Sequence, residues 1–257
     1  MKIIVCIKQV PSSNEVRLDP ETHAIIRDAR ASVINPFDLY AVELGKRLRD
    51  RMGGTLTALS MGIPATERLL RETISRGADD AVLLSDRAFA GADTLATSYA
   101  LSLGVNTIGD ADLVLCGKMA VDGDTAQIGP ELAETLGIHH VTDVCEVVDI
   151  TNEDITVKKV TETGNTLLKV KLPAVITVVK DIVQPSLPSI AGVRKSMSAP
   201  FKSFTAAEAG ADTSKTGFAG SPTTVVKTFT PEGRTEAVPV SKEEAAGFIL
   251  SAVKEVR

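Results

Sequence analysis

The chain has 257 residues, 44% hydrophobic and 24% charged, which is the balance of a globular protein with enough apolar side chain for its own core. Its net charge of −5, with 4% aromatic residues and no tryptophan, argues against nucleic acid as a partner, since phosphates need a concentrated basic face and bases need aromatic platforms. No apolar run approaches the roughly 20 residues of a membrane span, and Met1–Ile7 turns polar too soon for a signal peptide, so a cytoplasmic protein with no membrane partner is expected.

Lys2–Lys8 reads as a buried strand, broken by the turn residues of Val10–Asn14. Val16–Arg27 suggests a short hairpin excursion. Asn35 and Pro36 open a helix, with asparagine as N-cap and proline at the first position. Phe37, Tyr40, Ala41, Leu44 and Leu48 mark its buried face, and Gly53–Gly54 stops it. A strand at Thr55–Met61, a helix at Pro64–Arg76, a strand at Ala81–Leu84 and a helix from Asp93 to about Thr107 follow. Then come a strand at Asp112–Gly117 and a helix from Thr125 or Ala126 to Gly137. The alternation implies an α/β fold, a mostly parallel sheet with helices on both faces. Val141–Ile150, Ile155–Val160, Leu167–Leu172 and Ala174–Val179 are expected as added edge strands, several of them antiparallel, which completes an α/β domain over 1–183.

From Gln184 roughly 55 residues rich in Pro, Ser, Gly, Ala and Thr show little periodicity. A long arm wrapped on another subunit is expected, so 184–257 is set apart as a partner-binding region. Ser241 and Glu244 form a capping box for a last helix. Its apolar stripe of Ala245, Phe248, Ile249, Ala252, Val253 and Val256 suits either its own body or a partner.

In open parallel sheets, ligands sit beyond the carboxyl ends of the strands. Four segments meet there: Cys6–Gln9, Asn35–Asp38, Ser60–Gly62 and Gly117–Gln127. Gly117 and Gly123 let a backbone approach a ligand closely. Thr125, Ala126 and Gln127 would offer amide N–H groups at a helix start, where phosphate binds, and Thr125 adds a hydroxyl. Asp122 and Asp124 would repel phosphate, so they are expected to cap the helix or to meet sugar hydroxyls. An ordinary capped loop is the competing reading of this segment. Neither GxGxxG nor a Walker loop is present. His23, His139 and His140 lack metal-site spacing, and no nucleophile–base pair stands out, so neither a metal nor a catalytic side chain is expected. Cys6, Cys116 and Cys145 lack CxxC spacing and read as small core residues in a reducing compartment.

Taken together, Val5–Pro11, Asn35–Asp38, Ser60–Gly62, Gly77–Asp79, Leu113–Gly129 and Lys171–Val178 resemble the beta subunit of electron-transfer flavoproteins over nearly the whole chain. The resemblance implies an adenine-nucleotide-binding Rossmann-like fold whose C-terminal arm packs on an alpha subunit. It implies nucleotide contacts at Cys6, Asn35, Pro36, Phe37, Asp38 and Met61, and along Gly117, Lys118, Met119, Ala120, Val121, Asp122, Gly123, Asp124, Thr125, Ala126, Gln127 and Ile128. Ordinary members bind AMP there, and the electron-bifurcating branch binds FAD.

The small Val121–Pro130 loop and the stretch Ser85–Ser98 resemble the bifurcating branch. In that branch Gly91, Ala92, Asp93 and Thr94 would receive NADH, and their turn at a helix start is a candidate pyrophosphate site, with a plain capped helix as the competing reading. A hydride would pass from NADH to the flavin. Electrons would then go to ferredoxin and, through the alpha-subunit FAD, to a partner dehydrogenase of acyl-CoA, enoyl-CoA or lactate type. Gln184–Lys195 matches the family's recognition loop, with Leu187 and Ile190 as docking residues and Ile190 as the anchor. The family's usual basic run is missing downstream, where the chain reads Ser196–Pro200. A plain AMP-binding electron carrier and a flavin-free nucleotide sensor are the rival readings.

Overall fold

The computed structural model describes residues 1–12, 32–226 and 239–255, so the expected hairpin at 16–27, with His23, lies outside the described residues. The chain starts with β1 (Lys2–Cys6), which leads into the short β2 (Gln9–Pro11). β2 pairs antiparallel with β3 (Ser32–Ile34), which feeds α1 (Pro36–Met52). β4 (Thr55–Met61), a 3-10 turn at Pro64–Thr66, α2 (Glu67–Arg76) and β5 (Asp80–Leu84) follow. α3 (Thr94–Ile108), β6 (Leu113–Gly117) and α4 (Ile128–Leu136) complete the alternating part. β7 (His139–Ile150), β8 (Asp154–Thr161), β9 (Gly164–Lys171) and β10 (Ala174–Val178) come next, then α5 (Ile190–Ser198) and β11 (Phe201–Phe204).

All strands but β2 and β3 join one nine-stranded sheet in the order β11-β5-β4-β1-β6-β10-β7-β8-β9. β11 through β7 run parallel, and β8 and β9 fold back antiparallel. The sequence reading places β10 among the added edge strands, and the structure corrects this. β10 sits inside the sheet between β6 and β7, and its five residues are all buried. A strand buried on both faces reads as a continuous apolar run, which Ala174–Val178 is.

Alternate residues of the central strands feed two cores. Ile3, Val5, Leu56, Leu113 and Leu115 meet α1 and α2 through Leu44, Leu48, Leu70 and Ile74. Ile4, Leu59, Val82 and Val114 meet α3 and α4 through Leu101, Val105 and Leu132 on the other face. α1 carries the chain from β1 to β4, whereas α3 carries it from β5 back past β1 to β6. The strand order therefore reverses between β1 and β6, and their carboxyl ends flank a crevice.

Residues 184–224, expected from sequence to begin an arm on another subunit, pack on this chain's own body. One compact unit spans Met1–Thr224. α5 packs on α2, and β11 adds a parallel strand beside β5. Gly192 has no room for a side chain against the Ser75 carbonyl. Arg71 donates to the Ser196 carbonyl at 2.8 Å and stacks on the Phe201 ring, and the Ser186 N–H donates to Glu43 at 3.2 Å. A second unit, Val225–Arg257, contains α6 (Lys242–Glu255). Ser241 caps α6, its Oγ accepting from the Glu244 N–H at 3.3 Å and donating to the Glu244 carboxylate at 2.7 Å.

Asp79 joins α1, β4 and α5. It accepts from the Leu56 N–H at 3.0 Å, from Arg49 at 2.9 Å and from Lys195 at 2.8 Å. Burial pushes its carboxyl up, but the hydrogen bonds from Lys195, Leu56 and Arg49 outweigh this and hold it below its ordinary value. Replacing Asp79 with alanine should cost about 1–3 kcal/mol in urea unfolding, because a partly buried N–H and two cations lose their acceptor. A depressed acid stabilises the fold above its unfolded pKa near 3.8 and loses that contribution as pH falls through the folded value. The gap between wild type and Asp79→Ala should therefore close in acid.

Candidate functional site

The crevice between β1 and β6 is closed at its floor by one carboxylate. Both strands end with backbone N–H groups that lack a further strand to bond. Asp38, in the first turn of α1, accepts from the Lys8 N–H at 2.8 Å, from Asn35 Nδ2 at 2.9 Å and from the Gly117 N–H. It therefore links the end of β1 to the end of β6. Burial pushes its carboxyl up, against the three hydrogen bonds and the Lys8 charge, to a pKa of about 7. Gly117 is required here because a Cβ would lie 2.5 Å from Asp38 Oδ1 and 2.7 Å from the Phe37 carbonyl carbon. Its absent side chain serves the protein's own packing, not the approach of a ligand.

Asn35 holds the N-cap position of α1 but makes no side-chain cap. Its amide, in a residue only 1% exposed, donates to Asp38 and to the Met119 carbonyl at 2.9 Å and accepts from the Val121 N–H at 3.2 Å. The side chains of Asn35 and Asp38 are thus spent on the loop after β6. Pro36 and Phe37 bring the start of α1 to the same crevice, and Met61 ends β4 beside it. Cys6 and Cys116 lie side by side at the ends of β1 and β6, buried in the α3/α4 core. A hydrogen bond with Cys6 and burial push the Cys116 thiol well above its ordinary pKa, so Cys116 is an unreactive packing thiol at neutral pH. Cys145 is half-buried, and its thiol donates to the Lys158 carbonyl.

The loop itself differs from expectation in three ways. α4 starts at Ile128, so Thr125–Gln127 precede the helix instead of forming its first turn. Neither aspartate caps it: Gln127 holds the cap position, and Asp122 forms an ion pair with Lys8 at 2.7 Å. Asp124 and Ala126 adopt left-handed backbone, with φ of 53° and 54°, a conformation that side chains disfavour by about 1–2 kcal/mol. Residues alternating between right- and left-handed backbone turn successive N–H groups toward one concavity, the geometry of an anion nest. Among the described residues, the N–H groups of Thr125, Ala126 and Gln127 have no protein acceptor. Gly123 meets only the tip of Lys8, at 3.8 Å from an added Cβ, so that glycine keeps open space.

The turn at Gly91–Thr94 lies against this loop. Thr94 Oγ1 is 3.4 Å from Gln127 Oε1 and 3.1 Å from Glu131 Oε1. The two turns thus meet at one end of the sheet. The α3 start is not an open anion site, however. Asp93 caps it by accepting from the Ala96 N–H at 3.1 Å, and it also accepts from the Thr223 N–H and hydroxyl at 3.1 and 2.9 Å. Burial opposes its charge, but these bonds hold its carboxyl below the ordinary value. The Asp93 N–H donates to Ser221 at 2.8 Å, and the Phe218 ring covers Gly91, leaving no room for a Cβ there. A pyrophosphate on the first turn of α3 would meet a carboxylate, which corrects that part of the sequence reading.

The wall built from Phe218, Ser221 and Thr223 was missed from sequence. Its only signal there was the turn-forming Gly-x-x-Gly-Ser-Pro run at Gly217–Pro222. His139 and His140 are exposed at the start of β7. No metal-binding cluster of His, Cys, Asp or Glu occurs among the described residues, and none of the described helices is long and apolar enough to cross a membrane. On α5, Ile190 is 92% exposed and Leu187, just before it, is 85% exposed. Val193 and Met197 continue the same outward face.

Residues 22–209 match the electron transfer flavoprotein domain. The chain is 41% identical over 257 residues to an electron transfer flavoprotein subunit beta of Clostridium acetobutylicum, covering 99% of this chain and 98% of the relative. It is 43% identical over 262 residues to protein FixA of Bradyrhizobium diazoefficiens, covering 98% and 91%. It is 39% identical over 259 residues to the caffeyl-CoA reductase-Etf complex subunit CarD of Acetobacterium woodii, covering 99% and 98%.

The Asp38 carboxyl gives a pH test. Its folded pKa of about 7 exceeds the ordinary 3.8, so the fold is most stable with respect to this group below 3.8 and loses stability as pH rises toward 7. Asp38→Asn cannot ionise. The difference in urea midpoint between variant and wild type should shift in favour of the variant between pH 4 and about 7, then level off.

Proposed function

Because the chain belongs to the electron transfer flavoprotein family, as a beta subunit, we propose that its β1/β6 crevice holds FAD and that the subunit works in NADH-dependent electron bifurcation. The observation that carries this reading is the set of free N–H groups at Thr125–Gln127 on a left-handed backbone, at the point where strand order reverses. Backbone donors turned to one side suit the two phosphates of an ADP moiety, which AMP or FAD would both present. Asp122 is neutralised by Lys8 and does not oppose them. Small side chains at Thr125 and Ala126, beside an open Gly123, leave space for the second phosphate of FAD.

In this reading Cys6, Asn35–Asp38, Met61 and Gly117–Ile128 surround the nucleotide. Gly91–Thr94 form the wall along which NADH approaches, with Asp93 and Thr94 fixed by the protein's own bonds. A bound flavin would supply the redox chemistry, coupling two-electron donation by NADH to single-electron acceptors such as ferredoxin and the alpha-subunit FAD. The chain's residues bind, orient and shield it, and no side-chain acid or base is needed. The outward apolar face at Leu187, Ile190, Val193 and Met197 would dock a flavin-dependent dehydrogenase. Similarity to a subunit of a caffeyl-CoA reductase-Etf complex supports a partner that acts on CoA thioesters.

The heterodimer with its alpha subunit, purified without oxygen, should release two FAD on denaturation and be bleached by NADH. One FAD plus AMP, with no response to NADH, would replace this reading with that of a plain electron carrier. Ile190→Asp should leave flavin content and NADH reduction intact while slowing electron delivery to the dehydrogenase about 10-fold or more, as loss of an interface anchor does.

A further inference from the structure

The loop after β6 is held unevenly. Over residues 117–122 the grip is dense: Asp38 takes the Gly117 N–H, and the Lys118 N–H donates to the Val178 carbonyl at 2.9 Å. Asn35 takes the Met119 carbonyl and the Val121 N–H, and Lys8 takes Asp122. Over 123–127 the hold is light. The N–H groups of Gly123 and Asp124 return to the Ala120 carbonyl, the Gln127 carbonyl accepts from the Glu131 N–H at the helix start, and the Gln127 side chain has one long contact to Thr94. The firm half is fastened by two buried side chains from the start of α1. The light half carries the left-handed residues and the free N–H groups.

Asn35 and Asp38 have little left to offer a ligand. Both amide hydrogens and the oxygen of Asn35 are engaged, and Asp38, 6% exposed, already accepts from three N–H groups.

We propose that Asn35 and Asp38 are positioning residues that never meet the nucleotide through their side chains. They form a buried polar latch that fixes residues 117–122, so that 123–127 present their N–H groups to the phosphates at a set height above β1 and β6. The latch is a property of the protein alone, and only its effect on affinity rests on the nucleotide reading.

Asp38 is faced by the Lys8 N–H and ammonium, the Asn35 amide, the Gly117 N–H and the Cys116 thiol. Lys8 is the one cation among them. Because its folded pKa of about 7 lies above the ordinary 3.8, opening that hydrates Asp38 becomes easier as pH rises toward 7, so the latch loosens with rising pH.

The test uses the heterodimer with its alpha subunit, hydrogen exchange with and without nucleotide, and AMP and FAD as ligands. In Asn35→Ala, exchange protection at 117–122 should fall about 10-fold or more while β1, β4 and α3 keep theirs, and affinity for AMP or FAD should fall by a similar factor. Asn35→Gln keeps both donors and the acceptor one methylene further out, so it should lie between, and it carries the test if the alanine variant does not fold. In wild type, protection at 117–122, corrected for intrinsic exchange, should decline as pH rises from about 4 to about 7, and this decline should be missing in Asp38→Asn.

Loss of affinity with unchanged loop protection would overturn the proposal in favour of direct contact. Loss of protection spread evenly over the fold, or a loosened loop with unchanged affinity, would overturn the positioning role. If wild type binds neither AMP nor FAD, the nucleotide reading fails, and the exchange data still decide the latch.

Discussion

The structure depends on how two diverging strand ends satisfy their backbone. Where strand order reverses between β1 and β6, each strand leaves donors and acceptors that no neighbour can pair, and burying such groups unpaired costs about 1–3 kcal/mol each. The chain meets this with the first turn of α1. Asp38 accepts from both strand ends, and Asn35 pairs with the loop beyond β6. The positive end of α1 favours a negative charge at that point, which helps a buried carboxylate to persist. One acidic residue and one amide thereby fix the crevice, the close approach at Gly117 and the path of the loop.

Much of the scaffold was legible in the sequence because its signals are local and agree with one another. The α1 boundaries follow from Pro36 and Gly53, the α3 start from Asp93, and β4 from Thr55–Met61. The segment after Gln184 was illegible for a physical reason. α5 seats itself with Gly192, the Arg71 contact to Ser196 and the Lys195 contact to Asp79, while its apolar residues Ile190, Val193 and Met197 face outward. Reading periodicity assumes that apolar side chains point to the core, and here the rule is inverted. The four-residue β11 is too short to announce itself, and its pairing with β5 is set by tertiary contacts.

The site was legible as a place and not as a set of roles. That four segments meet beyond the strand ends follows from parallel topology alone. Asn35 looked like a helix cap because residue type and position fit, yet its side chain is taken by partners more than 80 positions away in sequence. Nothing local foretells the left-handed backbone at Asp124 and Ala126, since glycine, which normally signals it, stands instead at 123. Strain of this kind persists where the surroundings over-determine it, and the firm half of the loop supplies that constraint.

The two faces given roles here stand apart on the sheet. The crevice lies beyond the carboxyl ends of β1 and β6. α2 runs back along the sheet between β4 and β5, so its last turn lies at the amino ends of the strands, and Gly192 packs there on Ser75. The apolar face of α5 is therefore separated from the crevice by about a strand length, on the order of 17 Å or more for a five-residue strand and its flanks. A protein docked on Ile190 would not touch a nucleotide in the crevice. If both roles hold, electrons leaving the crevice would reach the docked protein through a carrier outside this chain, the place that a paired alpha subunit would take.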